Sequence, residues 1–392
     1  MRQRKASVDS IETAFKLVLI IDSVWSSGYG DSVYFIKEEY IVEFEIELKL
    51  LTNNDAGEVI DKKLLPSLKG NVKKEVVTLT NYYFDTQDRL LRKHDIGLRI
   101  RSNNQYCEQT LKTSGQSIGG LHKRPEYNVS LDSYDKKNIE FPNLSLFESS
   151  AWPNNFDLEA VQNNLETMFS TNFTRHVYQL DNDTSSIELV WDYGEVRSGE
   201  LTLPICEIEL ELKKGGVKDL FNLAKQISSL MPLGIGVHSK AARGYKLADD
   251  AKISSTALPK ISNDSLLSAE QCVELINKAL SHFQLYSTFF SFNHQSTHSH
   301  GVSDISKALN LLTFSLQKLF NLTSCNELSE LCDKAVNLKF HWSSTIQDIE
   351  TDKVNNWENL EQLSVFLTNS QTIDFQLDLV QVMLEKPWVI HS

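Results

Sequence analysis

Between Val42 and Leu50 the chain alternates residue by residue. Glu43, Glu45, Glu47 and Lys49 fall on one side, and Phe44, Ile46, Leu48 and Leu50 on the other. A period of two is that of a β-strand, whose successive side chains point to opposite faces. The pattern returns at Leu98-Arg99-Ile100-Arg101, at Thr110-Leu111-Lys112, and over Cys206-Glu-Ile-Glu-Leu-Glu-Leu-Lys213. Several strands therefore share one very polar face and one apolar face.

A single strand of this kind ordinarily turns its charges to water. A solvated face, however, needs no sorting of charge by sign. Here Glu45, Glu47, Glu207 and Glu209 supply carboxylates, while Arg99, Arg101 and Lys112 supply fixed positive charge. Closing such a sheet with its polar face inward makes a lumen in which cations grip phosphates and carboxylates hold a metal ion. The apolar face must then be covered from outside. Two inserted helices, expected near Phe156 to Phe169 and from Val217 to Leu230, are suited to that.

The short alternating runs, broken by Asn, Asp and Gly clusters, extend to about Leu247 and signal antiparallel β-structure. The stretch 251–264, with Ser254, Ser255, Pro259 and Ser262, reads as a linker. Beyond it, over 265–392, the period becomes helical. Ser268 and Gln271 form a capping box ahead of Cys272, Leu275, Ile276 and Leu280. Amphipathic segments follow over Val302 to Phe320, Leu328 to Ile349, Trp357 to Leu367 and Phe375 to Leu384, which predicts a helical bundle. Length and composition agree with two globular domains: 392 residues, 41% hydrophobic and 23% charged.

The formal net charge of -13 repels nucleic acid and acidic membrane surfaces, so an anionic ligand must be held by a local cluster of cations. Five scattered cysteines without C-x-x-C spacing read as thiols in a reducing compartment. The apolar run Phe15 to Ile21 is ended by Asp22, too short for an export signal, and no other run approaches the length needed to cross a bilayer. The expected location is the cytoplasm. His294, His298 and His300 lack a cysteine or carboxylate at metal-ligand spacing and read as loop residues. His94 and His122 read as structural, with His122 near the mouth of the lumen.

Glu45-x-Glu47-x-Lys49 resembles the hallmark of the CYTH family, also called the triphosphate tunnel metalloenzymes. The similarity continues through Asn81-Tyr-Tyr-Phe-Asp85, Leu98-Arg-Ile-Arg101, Gly119-Gly-Leu-His-Lys-Arg-Pro-Glu-Tyr127, Asp192, Cys206-Glu-Ile-Glu209 and Ser239-Lys-Ala-Ala-Arg243. It covers about 42–250 in the family's order. A lone E-x-E-x-K is common by chance, whereas the ordered set is specific. The resemblance implies an α+β protein: an eight-stranded antiparallel β-barrel with flanking helices, then an all-α bundle. It is strongest to bacterial inorganic triphosphatases, whose barrel is followed by a helical CHAD domain. In that family the hallmark lies almost at the start of the protein. Residues 1–41 accordingly read as a disordered or mis-annotated leader, with translation expected to begin near Val42.

The resemblance also implies roles. Lys49, Arg99, Arg101, Lys112, Arg124, Arg175, Lys240 and Arg243 match cationic positions that bind a linear triphosphate, and Lys49 counts among the catalytic residues. Glu45, Glu47, Asp192, Glu207 and Glu209 match ligands of Mg2+ or Mn2+, hard ions suited to oxygen donors. Glu126 would orient the attacking water or complete a second metal site. Glu211 continues the alternation but is expected at the barrel rim, outside the metal set. The alternative for every cation is a structural ion pair with a neighbouring glutamate. The implied reaction is in-line attack of water on a terminal phosphoryl group of inorganic triphosphate, giving pyrophosphate and phosphate. Class IV adenylate cyclases share the barrel and motif set but would need a pocket for adenine and ribose, and thiamine triphosphatase, a third reading, would want an aromatic platform beside the tunnel. A non-catalytic triphosphate sensor would need the cations more than two acidic strands.

The helical region departs from the pattern. No arginine follows Arg243, and the helix Ser303 to Phe320 holds only Lys307 and Lys318, so it makes a poor polyanion binder. It reads as a degenerate CHAD-like domain with a packing role or a role in protein contacts.

Overall fold

The computed structural model describes residues 44–103, 105–131, 141–249, 257–262, 266–292, 299–351 and 356–389, all within one compact unit, Glu43–Ser392. The expectations for the leader 1–41, most of the linker, His294 and His298 lie outside the described residues. His300 falls in a helix.

Ten strands form one antiparallel sheet: β1 (Phe44–Leu51), β2 (Asn71–Thr86), β3 (Gly97–Ser102), β4 (Cys107–Lys112), β5 (Gln116–Ile118), β6 (Leu121–Ser130), β7 (Leu165–Asp181), β8 (Ser186–Ser198), β9 (Leu201–Lys214) and β10 (Gly234–Ile235). Eight of them close on themselves in the order β1-β9-β8-β7-β2-β3-β4-β6, with β6 pairing back onto β1. β5 and β10 are short additions beside β6 and β1. Closure fixes inside and outside. Glu47 sits opposite Glu211 and Lys49 opposite Glu209 on β9, while Glu45 sits opposite Arg124 on β6. Arg175 faces Asp192 across β7 and β8, and Arg99 faces Tyr83 across β3 and β2.

The apolar faces point outward and are covered. Leu48, Leu50, Leu189, Ile208 and Leu210 pack into the main core with α2 (Val217–Ser228) and the C-terminal helices. Phe84, Leu98, Ile100 and Leu111 meet Phe147, Trp152 and Val161 of α1 (Leu158–Asn163). Leu79, Phe169, Phe173 and Ile205 meet Tyr245 of α3 (Lys240–Ala248). Burying each such side chain contributes about 1.5–3 kcal/mol, which offsets the cost of the charged interior.

The helix expected over Phe156 to Phe169 is much shorter. Asp157 caps it, accepting from the Ala160 amide at 3.0 Å, and the Asn164 side chain donates to the Ala160 carbonyl at 2.8 Å and ends it. From Leu165 the chain is strand, and the Phe169 ring stacks on Tyr83 of β2 with centroids 4.5 Å apart. Cross-strand packing overrides the helical spacing. The second insert agrees with expectation, and Asp219 accepts from the Gly216 amide at its start.

Beyond the barrel lie α4 (Ala269–Phe292), α5 (Ser299–Thr323), α6 (Asn326–Thr351), α7 (Asn356–Thr368) and α8 (Ser370–Glu385). The capping box is formed: Ser268 N donates to Gln271 Oε1 at 2.8 Å, and Gln271 N to Ser268 Oγ at 3.3 Å. Among the described residues no helix is long and apolar enough to cross a membrane.

Candidate active site

The polar faces enclose a cavity of about 300 Å3. Its walls carry Glu45, Glu47 and Lys49 of β1, Arg99 and Arg101 of β3, Lys112 of β4, Arg124 and Glu126 of β6, Arg175 of β7, Glu209 of β9, and Lys240 at the first turn of α3. Strand alternation delivers the first ten. Lys240 enters by another route, because Ser239 caps α3, accepting from the Ala242 amide at 3.1 Å, and this aims the first helical turn into the lumen.

Two charge clusters result. In the first, Asp192, Glu207 and Glu209 bring oxygens within 4.8 Å of one another. The Lys240 ammonium lies among them, 2.6 Å from Asp192 and 3.1 Å from Glu209, and also paired with Glu207. Arg175 donates from Nε and Nη2 to the two Asp192 oxygens, at 2.7 Å each, and from Nη2 to Glu209 at 2.9 Å. Arg243 pairs with Glu207. Lys49 bridges Glu209 at 2.6 Å and Glu47 at 2.7 Å. Burial opposes ionisation of Glu209 and Asp192, but Lys240, Lys49 and Arg175 around the first, and Arg175 and Lys240 around the second, outweigh it and hold both carboxyls below their ordinary range. For Glu47 burial wins, helped by Glu45 and Glu209, and its carboxyl is raised.

The second cluster is richer in cations. Lys112 pairs with Glu45 and lies 3.1 Å from Glu126, and Arg99 reaches Glu126 at 3.4 Å. Burial resists ionisation of Glu126, yet Lys112 and Arg99 prevail and bring its carboxyl down to about 2. Arg101 has no carboxylate partner among the described residues. Its Nε donates to the Asn81 amide oxygen at 2.8 Å, and burial together with Arg99 and Arg175 lowers its guanidinium to about 10. The buried Nε of Arg99 also has no hydrogen-bond partner among the described residues. Cationic donors collected without matching anions are suited to receive an anion.

The lumen thus gathers Glu45, Glu47, Lys49, Arg99, Arg101, Lys112, Glu126, Arg175, Glu209 and Lys240, while Asp192 and Glu207 join the cluster through Lys240, and Arg243 through Glu207, without lining the cavity themselves. Arg124 is on the cavity wall, but its guanidinium is held elsewhere: it donates to the carbonyls of Thr113 at 3.0 Å and Asp95 at 2.7 Å, and to the Asp95 carboxylate. Glu45 and Glu47 are not part of this close trio, but Glu47 is joined to it through Lys49, which pairs with both Glu47 and Glu209. Glu211, expected at the rim, lines the cavity with Glu188 and Glu108. Burial raises the Glu211 carboxyl to about 7. Glu188 was findable, since it precedes Asp192 by four residues on one strand and so shares its face. His122 also lines the cavity, where burial and then Lys49 push its imidazole down to about 3, leaving it neutral.

The CYTH domain family matches residues 43–245, about half of the chain and all of the barrel circuit. The chain belongs to the CYTH family. This CYTH protein is 35% identical over 210 residues to the inorganic triphosphatase of Haemophilus influenzae, covering 53% of this chain and 56% of that one. It therefore spans about half the length of that curated relative. Among solved structures, the CYTH chain is similar to a Hippeastrum protein studied as a candidate adenylyl cyclase and found to have a dominant triphosphatase activity (19% identity, 53% of this chain, 97% of that chain, TM-score 0.38). It is also similar to a candidate adenylate cyclase of Bacillus halodurans (22% identity, 51% and 96% covered, TM-score 0.33).

Proposed function

We propose that this CYTH barrel hydrolyses inorganic triphosphate to pyrophosphate and phosphate, with Mg2+ or Mn2+ as cofactor. The observation that carries the reading is the enclosed Arg101 guanidinium, partnered among the described residues by an amide alone, opposite a carboxylate cluster that already clasps a cation. The activity of the Haemophilus influenzae relative supports it.

Asp192, Glu207 and Glu209 fit a hard divalent ion: they are oxygen donors, close-set, and their shared space holds the Lys240 ammonium. Glu45 and Glu47 would supply further carboxylates from the adjoining wall. The ion, when bound, would neutralise phosphate charge and polarise water. The protein's own groups do the rest. Arg99, Arg101 and Lys112 bind phosphate oxygens along one wall, and Lys49, Arg175, Lys240 and Arg243 along the other, so that charge developing in the transition state meets fixed donors. Water attacks the terminal phosphorus as the bridging oxygen departs with pyrophosphate, and the proton the water loses leaves on the phosphate products or to solvent. Glu126, held ionised by Lys112 and Arg99, serves to orient the water. Arg124 contributes through the wall it braces.

One observation favours keeping thiamine triphosphate in view. Phe44, 47% exposed, lines the cavity, with the Lys123 ammonium 4.7 Å from its ring centroid, and an aromatic platform is what that substrate would use. We place the protein in a reducing, cytoplasmic setting on the strength of its five thiols, and read the C-terminal helices as a degenerate CHAD-like domain. The test is a panel of inorganic triphosphate, ATP and thiamine triphosphate, each with Mg2+, with Mn2+ and with chelator, scoring phosphate and cyclic AMP. Metal-dependent release of phosphate from inorganic triphosphate is expected. Preference for thiamine triphosphate, formation of cyclic AMP, or no turnover of any substrate would overturn it in favour of the corresponding alternative.

A further inference from the structure

Two backbone segments connect the C-terminal helices to the lumen. The first is Leu233 to Gly236. The Leu233 amide donates to the Thr368 carbonyl at the end of α7, at 3.1 Å. A Cβ placed on Gly234 would stand 2.7 Å from the Phe292 ring and 2.9 Å from Thr288 Cγ2, both on α4, so these helix side chains pack directly on the strand backbone. Ile235 pairs with Leu50, and the Gly236 amide donates to the Lys49 carbonyl at 2.8 Å. Ser239 and Lys240 follow directly. The second segment is the turn Gly119–Gly120, whose φ values of +54° and +86° favour glycine. A Cβ on Gly119 would fall 2.1 Å from Val380 Cγ2 of α8 and 3.0 Å from Leu280 Cδ2 of α4, and the Gly120 carbonyl accepts from the Lys49 amide.

From this we infer that the helical region is a positioning element of the active site: α4, α7 and α8 set the backbone that carries Lys49 and Lys240, and so fix where the two ammonium groups stand in the lumen. The inference rests on the reading that these lysines serve the triphosphate. Its contacts are packed and close-set, unlike those of a tethered appendage, and packed interiors transmit displacement. At its other end α3 is anchored independently. Tyr245 donates to Asp85 at 2.9 Å, and Arg89 and Arg92 hold Asp249, so a shift at Gly236 is taken up at the first turn, where Lys240 sits.

The experiment compares three full-length variants. Phe292→Ala removes the α4 contact, and Gly234→Ala wedges it. Leu316→Ala empties the fully buried core of α5, which packs on α4 and α6, and serves as the stability control. Each is assayed well below its melting temperature for kcat/KM with inorganic triphosphate, and for hydrogen exchange at the Gly236 amide. Phe292→Ala and Gly234→Ala are expected to lower kcat/KM on the order of tenfold, the scale of a small misplacement of a reacting group. They should also speed exchange at Gly236 by a similar factor. Leu316→Ala should lower the melting temperature with neither effect. Unchanged kcat/KM and exchange in Phe292→Ala and Gly234→Ala, or equal changes in all three, would overturn the inference. Should the wild type turn over no triphosphate, the proposed activity fails while the exchange comparison still decides the coupling.

Discussion

The barrel and the helical bundle place charge oppositely. In the bundle Leu312 and Leu316 are fully buried, and pairs such as Lys278 with Glu274 lie at the surface. In the barrel Asp192 and Glu207 are fully buried, Lys49 is 4% exposed, and the hydrocarbon faces outward onto covering helices. Taking an ion out of water costs several kcal/mol even after relaxation, so a chain concentrates charge inside only where pairing and a ligand offset that cost. The bundle leaves its charges in water, and the barrel gives up some stability for a site.

Substitutions can break this contrast, beginning with the most severe. Glu209→Gln removes a carboxylate shared by Lys49, Arg175 and Lys240. Metal-dependent turnover is expected to fall at least about a hundredfold, measured by steady-state phosphate release. Next, Arg175 and Arg101 should separate in their effects on stability. Arg175→Met takes the bidentate partner from the fully buried Asp192, leaving it Lys240 alone, and is expected to cost about 2–3 kcal/mol in denaturant unfolding. Arg101→Met strands only an amide and relieves repulsion from Arg99 and Arg175. It should leave the unliganded protein as stable or more so, while raising KM about tenfold or more.

A smaller effect concerns pH. Burial holds the Glu211 carboxyl near 7 in the folded protein against an ordinary 4.5. The folded state keeps a proton that the unfolded chain releases, so this contribution is complete below about 4.5 and is lost as pH rises to about 7. Glu211→Gln should flatten that part of the stability profile in unfolding titrations across the interval. The smallest effect is expected in the bundle. Lys334→Ala removes half-exposed pairs with Glu330 and Asp378 and should shift stability by less than about 1 kcal/mol with turnover unchanged.

Much of this was legible in the sequence because a strand reports its faces directly. Every second residue of Glu45 to Lys49 and of Glu207 to Glu211 lines the same cavity wall or charge cluster. What was hidden is register across strands. Nothing in the local pattern tells that Arg175 would fork onto Asp192, that Arg101 would find Asn81, or that Arg124 would be drawn to Asp95. That Asp192, Glu207 and Glu209 form the close trio while Glu47 meets it only through Lys49 has the same origin, since it depends on which strands become neighbours. Phe156 to Phe169 misled for a related reason: its spacing suits a helix, and only the partner Tyr83 makes Phe169 a strand residue. The bundle was legible in its helix bounds and caps, but its contacts with Gly119 and Gly234 come from tertiary packing alone.

Anomalous diffraction from crystals soaked with Mn2+ and a non-hydrolysable triphosphate analogue addresses the lumen directly. Expected is a manganese peak about 2.1 Å from carboxylate oxygens of the Asp192, Glu207 and Glu209 trio, with phosphate density running from it to Arg99 and Arg101. Manganese bound only at outer carboxylates, or phosphate density outside the barrel while the Lys240 pairs stay intact, would contradict the assignment of this cavity as the active site.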